Sequence, residues 1–530
     1  MTQPVVDSLS LFPAAPASLV AERLASLPTG PTSLLLGAST AGYQVEGGYN
    51  DRGQPANNWR RWELTGRAAC TRRAADFWEQ WPADLDRAQA MGLSAFRLGV
   101  EWARLERHPR RPGGRVLLDE PALQRYAAIL AGCGERGLTP VVTLHHFTHP
   151  EAEGPGLWID GERGPDRFVP YALHVAERLG ELLQREHHQP PIPYFVTINE
   201  PFMLAAGTHL AGIFPGPPGA RGAASARLAL ENLHLAHVRL YRGLHRLYRE
   251  RGWAPPAVTL NPWASLSPEA DLLLLHLLQA PANGVPQSRL AEHLRTEREL
   301  FVEATGRLLQ GRRTQAGWRG LIERSLQRVA AHALAPERFT RLRDEVYAGP
   351  AGERLLDRIA LDFYDPFYGN YAELGFPRLL RIRRAPWEWQ QAPTALSGFL
   401  ELYSRVGRGQ LPVDLLEQGM AVRCPLGGQP AARPEGFRRG ALLRAGLLAC
   451  LEAQGRGVPL GGYFHWSLMD NWEWGSFEPR FGLHGVIYED GARRLETDIS
   501  GEPVGEVYRR ISEALASGER DLLVTALADP

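Results

Sequence analysis

Lysine is absent. All 59 basic residues are arginine, and 59 Asp and Glu offset them, so the formal charge at neutral pH is zero. Without lysine, lysine-based Schiff-base chemistry is excluded. A zero balance with no isolated basic tract excludes an electrostatic role on nucleic acid or an anionic membrane surface. Cysteine is scarce too: Cys70, Cys133, Cys424 and Cys450 are scattered, with no CxxC pair. That argues against a disulfide framework or a zinc site and for a reducing compartment. No apolar run approaches the roughly 18 residues that cross a bilayer. The densest, 272–278, is far too short. The N-terminus has no charged segment ahead of its mildly apolar part, unlike a secretory leader. The expectation is a cytoplasmic protein that meets neither membrane nor nucleic acid; assembly into a homo-oligomer is compatible with this composition.

What is abundant is aromatic: 14 Trp, 15 Tyr and 18 Phe. Several Trp stand beside acidic or amide residues, the pairing that a cleft for a polyhydroxylated ring requires. Along the chain, short apolar runs alternate with longer amphipathic stretches. The runs are 33–38, 95–100, 139–145, 194–199, 257–261, 359–363, 412–416 and 462–467. They lack strict polar alternation, as parallel strands buried on both faces do. Several intervening helices end at glycine, as at Gly92, Gly137, Gly252 and Gly455, a common helix stop. This alternation predicts a single α/β domain, a (β/α)8 TIM barrel, over 31–520, with an N-terminal extension over 1–30 and a tail over 521–530. The stretch 268–349 stays helical without a strand and reads as an insertion between strands 5 and 6.

Reactive groups in such a barrel sit at the carboxyl ends of strands. Strand 4 ends Ile198-Asn199-Glu200-Pro201, an apolar run that delivers a carboxylate. Strand 7 ends Leu415-Leu416-Glu417-Gln418-Gly419. Two glutamates at roughly opposite strand ends can face each other, and paired carboxylates are the machinery of glycoside hydrolysis. Beyond strand 8, Trp466, Trp472 and Trp474 alternate with Asp470, Asn471 and Glu473. His145 and His146, adjacent on a strand of period two, should point to opposite sides, which disfavours joint metal ligation.

These segments together resemble family 1 of the glycoside hydrolases, the β-glucosidase and β-galactosidase family. The family's NEP motif reads Asn199-Glu200-Pro201, and its TENG motif reads Leu416-Glu417-Gln418-Gly419. The N-terminal signature is matched by 37–46 and the aromatic tail motif by 466–474. The resemblance implies a (β/α)8 barrel, Glu200 as acid/base and Glu417 as nucleophile. It places Gln44, His146, Asn199, Glu473 and Trp474 on the sugar, Trp466 as its stacking platform, and Arg97 as the partner of the nucleophile. Tyr368 is assigned a hydrogen bond to the nucleophile, with Tyr364 competing for that role. A cis peptide bond after Trp466 is also implied. Departures are Leu416 and Gln418 at the nucleophile, Phe147 where the family has Trp, and Phe367 where an Asn is expected.

The activity so implied is retaining hydrolysis of terminal β-linked glucosides, galactosides or fucosides, on a small β-glycoside or oligosaccharide, with no metal and no organic cofactor. A transglycosidase or a catalytically silent carbohydrate-binding barrel would use the same residues. Glu417 should have a lowered proton affinity beside Arg97, and Glu200 a raised one.

Overall fold

The computed structural model describes residues 15–28, 30, 33–107, 114–264, 271–308, 334–364, 372–373, 381–382, 385–389, 391–433 and 436–528. Eight parallel strands form its centre: β1 (Leu35–Ser39), β2 (Ala95–Gly99), β3 (Thr139–Thr143), β4 (Tyr194–Asn199), β5 (Ala257–Asn261), β6 (Ile359–Asp362), β7 (Val413–Gln418) and β8 (Leu460–Trp466). Their order is β5-β4-β3-β2-β1-β8-β7-β6. The two edges meet through a parallel bridge between Trp263 and Asp362. Asp362 donates its amide to the Pro262 carbonyl and Ala264 donates to the Asp362 carbonyl, both at 2.8 Å. The sheet is therefore closed, and the expected barrel is what the chain builds.

Helices follow the strands: α1 (Phe77–Ala90), α2 (Glu120–Glu135), α3 (Arg163–Glu186) and α4 (Ala223–Glu250) after β1 to β4. In α3, Phe168, Tyr171, Ala172, Val175, Ala176, Leu179, Leu182 and Leu183 are buried. That three-and-four spacing is the stripe with which a helix covers a sheet. After β5 come α5 (Asp271–Gln279), α6 (Leu290–Leu308) and α7 (Thr340–Tyr347); 268–270 and 309–333 of the expected helical stretch lie outside the described residues. Then α8 (Pro393–Ser404), α9 (Arg439–Gly455) and α10 (Val504–Ser517) follow β6, β7 and β8. Gly92, Gly137 and Gly252 do end their helices with φ between 68° and 70°. Gly455 instead stays helical, and Gly457 two residues later takes the positive φ.

Inside the barrel, Ala95, Val141, Tyr194, Val196, Ala360, Leu416 and Phe464 form a core of their own, separate from the larger core between strands and helices. Below it lies a charge: the fully buried Asp414 accepts from the Tyr194 hydroxyl at 2.6 Å and from Arg358 at 2.7 Å. A carboxylate so enclosed is tolerated because both oxygens are answered. Among the described residues no helix is long and apolar enough to cross a membrane.

Removing that answer should be costly. Arg358→Met is expected to destabilise the fold by about 3 kcal/mol, since an uncompensated buried charge remains. The midpoint of chemical denaturation should fall accordingly, and an unchanged midpoint would show that Asp414 does not need its cation.

Candidate active site

Simple strand alternation would not build this site. Between β4 and β5 the pairing runs Val196 with Thr259, then Asn199 with Asn261, so β4 carries one residue more than its neighbour. Consequently Thr197 and Ile198 both face the helical layer: the Thr197 hydroxyl meets His237 of α4 at 2.8 Å, and Ile198 joins the outer core. Asn199 is thereby turned back into the mouth. Strand β7 does the same. Leu415 pairs with Leu361 and Glu417 with Asp362, leaving Leu416 extra. Leu416 fills the inner core, and Glu417 points inward as well. An extra residue in one strand re-aims the side chains beyond it, and here it does so near the ends of both strands that deliver a glutamate. Gly419 then passes so near β8 that a Cβ there would lie 2.1 Å from the Trp466 carbonyl oxygen, which explains glycine at that place.

The buried guanidinium of Arg97, fully enclosed on β2, is the hub. One terminal nitrogen donates to Oε1 of Glu417 and the other to Oδ1 of Asn199 at 2.6 Å; Nε donates to the Thr143 hydroxyl at 3.0 Å. The Tyr364 hydroxyl donates to Oε2 of Glu417 at 2.7 Å. This is the contact expected of Tyr368, a residue outside the described ones, as is Phe367. Tyr364 takes it because it stands two residues beyond the end of β6. Glu200 follows β4 directly, in the left-handed region at φ 37°, with its amide held by the Asn261 carbonyl at 2.8 Å. Such a φ is sparsely populated for a residue with a Cβ. One carboxylate oxygen each of Glu200, Asp362 and Glu417 lies within 4.8 Å of the other two.

The predicted sugar-contacting residues surround this centre. His146 lies nearly parallel to Trp466 and Trp474, with centroids 5.8 and 5.7 Å away. Asn199 donates to its Nε2 at 3.3 Å. Burial, then the charge of Arg97, lowers the proton affinity of His146 well below the ordinary value, so the ring is a neutral acceptor. His145 faces the other way, against Trp102, Trp158 and Phe168. Gln44 donates to Glu473 at 3.1 Å. Phe147 packs on Trp474 and Phe214. The peptide bond after Trp466 is cis.

Electrostatically the site departs from expectation at one point. Burial pushes the Glu417 carboxyl above its ordinary value, and Arg97 and the Tyr364 hydroxyl oppose this without reversing it. Desolvation outweighs the cation because Glu417 is only 4% exposed. Glu473 is pushed up to about 8, by burial first and the charge of Glu417 second. Two groupings among the described residues bring three ligand-type atoms close: Glu200, Asp362 and Glu417, and, away from the cleft, His276, His293 and Glu297. In each a guanidinium already holds a carboxylate, Arg97 on Glu417 and Arg405 on Glu297.

The family profile described as glycosyl hydrolase family 1 matches residues 28–264 and 379–500. This chain belongs to that family. Family 1 relatives include 6-phospho-beta-galactosidase 1 of Streptococcus pneumoniae, 27% identical over 491 residues covering 88% of this chain and 96% of that protein. Beta-glucosidase A of Acetivibrio thermocellus is 24% identical over 492 residues, covering 88% and 96%. The fold is also that of the Thermotoga maritima beta-glucosidase in complex with methoxycarbonyl-substituted glucoimidazole, with a TM-score of 0.64 at 22% identity over 92% of this chain and 99% of that one. As a family 1 member the protein is an O-glycosyl hydrolase of the β-glycosidase class. The family profile leaves 265–378 unmatched, and that span supplies Asp362 and Tyr364. Asn261 and Asp362, which the sequence reading did not assign to the site, carry the same signal as the two glutamates: a polar residue closing an apolar strand.

Tyr364→Phe removes a hydrogen bond to the charged form of Glu417, so its proton affinity should rise further. The acid limb of the kcat/KM profile is expected to move to higher pH, with kcat down about tenfold. An unmoved acid limb would refute this role for Tyr364.

Proposed function

We propose that the protein is a retaining β-glycosidase for terminal, unphosphorylated glucosides or galactosides, with Glu417 as nucleophile and Glu200 as acid/base. The observation that carries this is the approach of the two carboxylates, oxygens within 4.8 Å. Inverting enzymes need about 6.5–9.5 Å to seat a water between the groups, whereas retaining ones hold them at about 5–5.5 Å. Arg97 and Tyr364 grip both oxygens of Glu417, fixing its attack line on the anomeric carbon and favouring its charged form against burial. Glu200 protonates the leaving oxygen. When Glu417 becomes an ester its charge vanishes, the proton affinity of Glu200 falls, and Glu200 then takes the proton of the attacking water. His146 and Asn199, neutral and mutually bonded, with Gln44 and Glu473 opposite, offer acceptors and donors to sugar hydroxyls; Trp466 and Trp474 offer ring faces.

Several relatives are named 6-phospho-beta-galactosidases, which makes a phosphorylated glycon the second reading. Glu473 speaks against it. The groups acting on its carboxyl are burial, Glu417, the Trp466 indole and the Gln44 amide, none of them positive. A phosphate dianion there would face a carboxyl with no cation acting on it among the described residues.

Glu417→Gly should abolish turnover of aryl β-glycosides, with partial recovery in azide or formate; undiminished turnover would remove Glu417 from the mechanism. Glu200→Ala should slow substrates with poor leaving groups far more than activated aryl ones, by about 10² or more. On wild-type enzyme, kcat/KM for nitrophenyl β-glucoside or β-galactoside should exceed that for the 6-phosphate by about tenfold or more. The reverse order would establish the phosphorylated reading.

A further inference from the structure

Three carboxyls converge in the cleft, and one guanidinium serves them. Asp362 ends β6 with its side chain fully buried. It faces Glu417 from β7, Glu200 beyond β4, Arg97 from β2 and Asn261 from β5, with Tyr364 two residues along its own chain. The Asn261 amide donates to Oδ2. Oδ1 is buried and has no hydrogen-bond partner among the described residues. Arg97 donates to Glu417, Asn199 and Thr143, and none of these three bonds reaches Asp362. An ionised Asp362 would therefore keep a desolvated oxygen unanswered beside two other acids, the costliest arrangement available to a carboxylate.

We propose that Asp362 is a neutral positioning residue in the working enzyme: its proton sits on Oδ1 and leaves the negative charge of the cleft on Glu417, opposite Arg97. The idea rests on the assignment of Glu417 as nucleophile and Glu200 as acid. Burial first, then Glu417 and Glu200, hold the Asp362 carboxyl well above the usual carboxylate range, against Arg97 and the Asn261 amide. Ionisation would place two anions beside one cation and raise the proton affinity of Glu417 and Glu200 alike. No bond to the sugar is asked of Asp362. Its role is to be the acid that does not ionise, so that the charge can be at the nucleophile.

Asp362→Asn separates the alternatives by sign. If Asp362 is neutral, the amide reproduces it. The acid midpoint of kcat/KM for a nitrophenyl β-glycoside should then move by less than about 0.3 unit, and the alkaline midpoint should stay or rise. If Asp362 is an anion, removing its charge lowers the proton affinity of both glutamates. Both midpoints would then fall together by about half a unit or more, and the proposal would be overturned. A second readout is infrared difference spectroscopy of substrate-free wild type against D362N at neutral pH. A protonated-carboxyl carbonyl band missing from the variant supports the proposal, and loss of a carboxylate band instead refutes it. Should D362N not fold, Asp362→Ser serves the same infrared comparison. If wild type hydrolyses no β-glycoside, the functional reading fails while the infrared result still decides the state of Asp362.

Discussion

The site is organised by Arg97. A guanidinium with no exposed surface must find partners for its donors, and it finds them on β3, β4 and β7, at Thr143, Asn199 and Glu417. Those bonds are at once what makes an arginine tolerable inside the barrel mouth and what fixes the carboxylate of Glu417. Neighbouring groups are arranged in turn: Asn199 also accepts from Asn261, and Asn261 donates onward to Asp362. A chain of polar side chains thus runs from β2 across β4 and β5 to β6, at the seam where the barrel closes. The site and the closure of the sheet thus share a residue, Asp362, whose backbone bridges the seam and whose side chain accepts from Asn261.

Much of this could be read in the residues before any coordinates. Apolar runs bounded by helix-length segments locate all eight strands, because a strand buried on both faces has no choice but to be apolar. Glu200 and Glu417 stand out since a carboxylate at the end of such a run has no structural use for its charge. Arg97 was reached through the family resemblance alone. The opposite orientations of His145 and His146 agree with the alternation expected of a strand, although β3 itself stops at Thr143.

What was not legible has a physical cause in each case. The extra residues at Thr197–Ile198 and at Leu416 leave no mark in the pattern, because Leu, Ile and Thr suit either side of a strand. The tyrosine on Glu417 could be placed only by knowing where β6 stops: Tyr364 and Tyr368 are both tyrosines after an apolar run, and Tyr364 makes the contact. The proton affinity of Glu417 was misjudged because the sequence displays the partner and hides the desolvation. A cation at hydrogen-bond range is visible as a motif, whereas the depth of a cleft is a property of the closed barrel.

The one-residue surplus in β4 and β7 has a bearing on how such an enzyme can change over time. Deleting Leu416, or one residue of the Thr197–Ile198 pair, would restore an even ladder and tidy the hydrogen bonding of the sheet. It would also swing the following carboxylate or amide out of the mouth. The irregular strand ends are thus a place where ladder regularity and the aim of the site's side chains oppose each other.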